Sequence, residues 1–532
     1  MHRPYKQWFL ILPALTVGGI APAYAEDAKA VAAVNEEPAL SLDPTTPQVA
    51  TLPGGVTPAY GRRSQSEGEW RFDFHGLLIA PLAIGIGNRA MPTPDQSGTT
   101  LHTPPAVPDD LETFSHTGVV PTTYAQLTFS EGNSIVQANM SILARQANAS
   151  TSFIEPASQL GVSDLFVSIL PRLRRMRTEI FVGAFTSRYG SPGEYDEGRY
   201  GTPLIARING VGQRVALRAP FGNYMLLAEE GLIGQSNKAG TATTPDVWND
   251  FANPNEGTSF VGHAHLGLHA FGMATLGVHY LHAWSQDDRG NNVVNGTMMI
   301  DASQPDAKLD QVAADLRITA GRFGHLYGAA SYLNAKHVTT LSRIISILNT
   351  KGGPGLVTNY LGPNSNGNGN ITVIGGQYDL SVGKLVSYPV PFSGDGPDLV
   401  VSLFGMIVHT SSDDHFYDPN GRYYDGVTKW KAGGEAAYSV LPWIAFSGRY
   451  DYVVNDTHSD CAGVPCSTYN FGVISPRVIL RTDWQATDQI VLQYSHWFNG
   501  ANTLIRVGDP PLENINWVPD KDMISLSASM WW

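Results

Sequence analysis

The last ten residues, "MISLSASMWW" (Met523 to Trp532), decide how the rest of the chain is read. Ile524, Leu526, Ala528, Met530 and Trp532 share one parity, and Ser525, Ser527 and Ser529 take the other. That is the two-residue period of a strand with one apolar and one polar face. A frayed tail has little use for two Trp residues, each a large apolar surface with one N–H that needs a partner. A membrane interface suits both parts of the indole, so the pattern fits a strand that ends at headgroup level.

The same period recurs upstream. In "WRFDFHGL", Trp70, Phe72 and Phe74 oppose Arg71, Asp73 and His75; in "QVAADLRIT", Val312, Ala314, Leu316 and Ile318 oppose Gln311, Asp315, Arg317 and Thr319. In "WIAFSGRYDY", Ile444, Phe446, Tyr450 and Tyr452 oppose Ser447, Arg449 and Asp451. A soluble β-sandwich would also alternate, but the connections separate the two. Short turns ("SEGN", "PRLRRM", "APFGN", "AFGM", "GRFG", "LPW", "DWQATD") alternate with long polar segments near 88–117, 147–159, 187–210, 236–257, 286–308, 338–369, 411–429, 455–469 and 499–520. One connection, about 383–397, is longer than its class. Short turns at one end and long loops at the other predict an all-β fold, a transmembrane antiparallel up-and-down β-barrel. About 18 strands are expected, centred near 75, 125, 140, 166, 181, 215, 227, 264, 279, 315, 331, 376, 404, 435, 448, 476, 493 and 527. Sixteen result if one weak hairpin, around 160–186 or 370–408, is misread. An even count puts both ends on the periplasmic side, where the last strand pairs with the first and removes both edges.

Composition agrees. Charged residues are 15% of 532, Gly numbers 55, and no stretch after the N-terminus is apolar for long enough to form a helical span. Residues 1–25 read as a secretory signal: His2, Arg3 and Lys6, then "WFLILPALTVGGI", then the small-x-small "AYA". Residues 26–68, rich in Ala, Pro, Thr and Glu, read as a disordered periplasmic leader, and 69–532 as the barrel. The formal charge is −13, and removing the signal leaves about −15, which argues against nucleic acid as a partner. Cys461 and Cys466 lie five positions apart in a Gly/Pro/Ser-rich loop of an exported chain and read as one small disulfide.

These features together resemble the bacterial outer-membrane porins. The resemblance implies a channel for small hydrophilic solutes in contact with outer-membrane lipids, and it allows a homotrimer. It also implies that Trp532, where the family usually has Phe, carries the signal for the barrel-assembly machinery. Many porins fold the loop after the fifth strand into the pore. Here that loop is "TSRYGSPGEYDEGRYGTPLIARING" (Thr186 to Gly210), with Glu194, Asp196 and Glu197 as its acidic cluster.

A charge facing lipid at mid-depth costs about 2–4 kcal/mol, so strand charges are expected inside. Arg71, Arg145, Arg214 and Arg218 are the basic pore candidates, opposite the acidic loop; Arg317, Arg449, Arg477 and Arg481 and the acids Asp73, Asp315, Asp379, Glu435 and Asp451 take the same inward parity. For any one of them the plainer reading is pairing with a neighbouring acid to fill the wall. Mouth acids such as Asp287, Asp288, Asp413, Asp414 and Asp418 favour cations. "GHAHLGLHA" puts His263, His265 and His269 on one face, with His279 joining them if the next turn has three residues. Imidazole ligates transition metals, yet a barrel wall needs inward polar residues anyway, so neither a metal nor a cofactor is expected. No GxSxG, HExxH or GxxxxGK[ST] is present, and no enzyme is expected. A closed barrel serving as a surface scaffold or adhesin is the alternative to an open channel. Polar inward faces count against a carrier of hydrophobic molecules.

Overall fold

The computed structural model describes eighteen long strands. They are β1 (Arg71–Ile86), β2 (Thr123–Gly132), β3 (Val136–Gln146), β4 (Ser158–Ile169), β5 (Met176–Arg188) and β6 (Arg207–Phe221). Next come β7 (Tyr224–Asn237), β8 (Gly257–Ala270), β9 (Ala274–Ser285), β10 (Lys308–Thr319), β11 (His325–Lys336) and β12 (Gly369–Ser381). The last six are β13 (Asp398–Tyr417), β14 (Tyr423–Leu441), β15 (Ile444–Cys461), β16 (Thr468–Arg481), β17 (Thr487–Asn499) and β18 (Lys521–Trp531). Outside them it describes residues 133, 135, 170–173, 189–195, 200, 205–206, 222–223, 273, 290–294, 297–301, 307, 320–324, 368, 382–386, 443, 464–465, 504–506, 515–517 and 520. The expected signal (1–25) and leader (26–68) lie outside the described residues.

Each strand pairs antiparallel with the next in sequence, and β18 pairs with both β17 and β1. Every expected strand centre falls within one of the eighteen. β1 meets β2 along Arg71–Ile79 and β18 along Leu77–Ile86, so its two partners are staggered along it, as strand tilt requires. Between β4 and β5 the ladder covers only Leu165–Ile169 against Ile180–Ala184. Beyond it, the Asp164 carboxylate accepts the Thr186 N–H at 2.9 Å.

Two expected loops are strand instead. Residues 411–429 and 455–469 mostly extend β13, β14, β15 and β16; β13 has 20 residues, about twice what a tilted span needs. Ladder pairing satisfies the backbone outside the bilayer as well as inside, so a hairpin can run on past the membrane through polar sequence. The Ser411/Phe416 irregularity marks where this hairpin bends. The 383–397 connection opens with a short helix, α2 (Val382–Val386), after the strand. Asp398 ties that helix down, accepting from the Gly383 N–H at 2.8 Å and the Ser381 hydroxyl at 2.7 Å.

The two faces of the sheet differ as the alternation predicts. Leu266, Leu268, Leu276, Val278, Val312, Ile374, Leu403, Ile407 and Leu492 are exposed on the outside. Such a surface would drive association in water, but it is what lipid requires. Aromatics mark both rims of this outer face. Phe221 stacks on Tyr224 at 5.7 Å at the turn end, and Phe260 stacks on Trp284 at 5.5 Å at the loop end. Among the described residues no helix is long and apolar enough to cross a membrane; the strands cross it.

Candidate functional site: the polar lumen and the inward segment

The segment after β5 packs against the inward face of the sheet. It forms a short helix, α1 (Gly190–Tyr195), that touches β8, β9 and β10. Tyr189 stacks on His263 with ring centroids 4.3 Å apart, and its N–H donates to the Ala206 carbonyl at 3.1 Å, closing the base of the segment. Glu229 on β7 is the anchor. One of its oxygens accepts from Arg214 on β6; the other accepts the Gly190 N–H at 2.7 Å and lies 3.0 Å from His265 Nδ1. Gly190 has φ +66°, and a Cβ there would lie 2.9 Å from His265 Nε2 and 2.8 Å from His279 Cε1. Both the backbone angle and the close approach call for glycine. His265 and His279 are cross-strand partners, and His279 Nε2 lies 2.6 Å from Asp315 Oδ1.

The same segment reaches a second wall. The Tyr200 hydroxyl donates to Asp451 Oδ1 on β15 at 2.8 Å. The Tyr200 ring meets Phe404 edge-on at 5.1 Å and lies under the Lys431 ammonium at 4.9 Å and the Arg449 guanidinium at 5.6 Å. Arg449 makes a forked pair with Asp451 (2.8 Å through both Nε and Nη2), and Arg477 reaches Glu435 at 3.2 Å. Burial raises the pKa of both tyrosines, and Asp451 raises that of Tyr200 further, so both phenols stay neutral.

Arg214, Arg449, Arg477, Asp315, Glu435 and Asp451, all expected inside, are buried on the inward face. Arg218 lies nearer the turn end of β6, opposite Arg177 and Leu227. Arg71 lies in β1, Arg145 in β3 and Glu194 in α1, with side chains outside the described set. Asp196, Glu197, Cys466 and Trp532 fall outside the described residues; Cys461 ends β15. The expected histidine set separates. His263 lies under Tyr189, His269 Nδ1 meets Thr275 Oγ1 at 2.7 Å, and only His265 joins His279 and Asp315.

Sequence reasoning missed Glu229, Tyr189, Tyr200 and Lys431. Glu229 was within reach. The two-residue turn Gly222–Asn223 sets the register that pairs Arg214 with Gly231, which puts Glu229 two positions away on the same face. Toward the loop end the inward faces also turn apolar. Ile208, Ile233, Val261, Leu281, Leu309, Leu333, Ile371, Val373, Val453 and Val473 are buried at 2% exposure or less. The expectation of uniformly polar inward faces is therefore corrected: a polar belt lies beneath an apolar collar.

No family model and no characterised protein matches the chain by sequence. Solved structures similar to it include OccK9 (OpdG) of Pseudomonas aeruginosa, at 9% identity over 86% of this chain and 98% of that one, TM-score 0.41. Others are OpdQ of the same species (8%, 88% and 99%, TM-score 0.39) and the outer membrane channel DcaP of Acinetobacter baumannii (10%, 88% and 99%, TM-score 0.36). With its cycle of eighteen paired strands, apolar outer band and charged interior, the chain has the architecture of a transmembrane antiparallel up-and-down β-barrel.

Proposed function

We propose that this protein is a passive channel for small hydrophilic solutes and ions, narrowed by segment 189–206. The tie from Tyr200 to Asp451 carries the reading, because it draws a segment rooted on the β7–β10 wall across to β15. A segment held on two walls leaves passage only beside it, between the histidine wall and the arginine wall. Charges of both signs near that gap orient dipolar solutes. The acidic cluster Glu194, Asp196 and Glu197 belongs to this segment, and with the acidic mouth it gives a modest cation preference, stronger at low salt.

The apolar collar favours a second reading, a closed barrel whose loops act at the cell surface, because its residues are buried. Single-channel recording in planar bilayers separates the two: discrete conductance steps support the channel, and a silent, correctly folded barrel supports the scaffold. Within the channel reading, neutralising Glu194, Asp196 and Glu197 together shifts the reversal potential toward anions. Unchanged selectivity and conductance would remove the cluster from the path. Trp532 serves as the assembly signal at the closing strand, and Cys461–Cys466 as a local external staple whose loss spares the barrel. A homotrimer is the assembly the resemblance suggests.

A further inference from the structure

The inward faces of β8, β9 and β10 bring two imidazoles and a carboxylate to one place. His265 and His279 face each other across β8 and β9, and Asp315 on β10 pairs with Gly277, two residues before His279. One donor atom from each of His265, His279 and Asp315 lies within 4.8 Å of the others. The three residues are 2%, 4% and 2% exposed.

Three features show that the cluster lacks a partner. First, His265 Nε2 and Asp315 Oδ2 are buried with no hydrogen-bond partner, a condition that is costly for a desolvated polar atom. Second, His265 Nε2 and Asp315 Oδ1, the oxygen that also meets His279, converge over a glycine: a Cβ on Gly277 would lie 2.8 Å from the nitrogen and 2.2 Å from the oxygen. The space a side chain would fill is left to these donors. Third, His265 Nδ1 also makes no hydrogen bond, and Glu229 Oε2 stands 3.0 Å from it as an ion-pair partner behind the ring. A carboxylate at Nδ1 leaves the Nε2 lone pair facing the cluster, the arrangement that orients an imidazole for a metal.

We propose that His265, His279 and Asp315 bind one divalent transition-metal ion of the zinc, copper or nickel class, with Glu229 positioning His265. Two imidazoles and one carboxylate suit these ions, whereas calcium and magnesium want an all-oxygen shell. The ion takes the place of the proton shared between His279 Nε2 and Asp315 Oδ1. Gly190 covers the cluster from the loop side, since any side chain there would meet both imidazoles. The site needs only the folded wall, and it stands whether or not the barrel conducts.

The test uses the full folded chain in detergent, stripped with chelator and titrated with zinc by calorimetry and with cobalt by visible absorption. The expected result is one ion per chain, a cobalt spectrum of mixed nitrogen and oxygen ligation, and no displacement by excess calcium or magnesium. His265→Ala and Asp315→Asn should each weaken binding by about 100-fold or more, and Glu229→Gln by about 10- to 100-fold. His269→Ala, outside the cluster, should leave it unchanged. Heat-modifiability checks that each variant is folded. If His265→Ala does not fold, the near-isosteric Asp315→Asn and the wild-type cobalt spectrum still decide. Absence of binding, an all-oxygen spectrum, or one-to-one binding that survives Asp315→Asn would overturn the proposal.

Discussion

The wall of β7 to β10 holds segment 189–206 near its root, through Glu229, His263 and His265, whereas the wall of β13 to β15 holds it through Tyr200 and a partner 251 positions away. The root contacts converge on one buried carboxylate. Glu229 alone accepts from Arg214 and Gly190 and lies against His265. Among the described residues, the far contact is the Tyr200 hydroxyl on Asp451 plus ring packing against Phe404, Lys431 and Arg449. The two ends should therefore differ in kind. Losing the root exposes an uncompensated buried charge and damages the barrel, whereas losing the far tie frees the segment and spares the barrel.

Glu229→Ala tests the root and should have the largest effect. It leaves the Arg214 guanidinium without its carboxylate and Gly190 without its acceptor; breaking a buried pair in this way costs about 3–5 kcal/mol. Denaturant midpoints of the refolded barrel should fall accordingly, with Glu229→Gln intermediate. Tyr200→Phe tests the far tie. It removes one hydrogen bond to a carboxylate, about 1.5–3 kcal/mol, most of it local to the segment. Single-channel current should become larger and noisier while the unfolding midpoint barely moves. If Tyr200→Phe unfolded the barrel and Glu229→Ala only changed the current, the assignment of root and tie would be reversed.

The sequence shows the frame of this comparison but not its contacts. Alternation reports which face a residue takes, so Arg214, Asp315, Arg449, Asp451 and Arg477 were placed inside without any structure. Alternation says nothing about height or about what crosses the lumen, so the partnership of Tyr200 with Asp451 had no local signal. The histidines show the same limit. Parity grouped His263, His265 and His269, and the three positions between Ala270 and Ala274 bring His279 to the same wall as expected, but only the register shows that His265 is the one opposite His279 and that Asp315 joins them. Loops were overestimated at 411–429 and 455–469 because polar sequence reads as loop even where ladder pairing continues. The apolar collar was missed because there both faces of a strand are apolar, as in "ITVIGG", where Ile371 and Val373 are inward and buried while Ile374 is outward and exposed.

Glu229 and Glu230 are adjacent, and the pleat sends them to opposite faces: Glu229 is 5% exposed inside the lumen, while Glu230 is exposed on the outer face with Leu226 and Leu232. Register places Val215 and Ala264 beside Glu230, so no cation on the flanking strands stands directly opposite it. It lies six residues beyond Tyr224 of the turn-end rim, within the apolar band. An acidic residue facing lipid at this depth destabilises by less than the about 2–4 kcal/mol of a basic one. Glu230→Leu should therefore raise the unfolding midpoint slightly, by no more than about 1–2 kcal/mol, and leave single-channel current unchanged, the opposite of what removing Glu229 does. A drop in stability, or a loss of oligomer on native gels, would show that Glu230 meets another subunit rather than lipid. The outer face of β7 would then be an interface, and the small expected gain would become a loss.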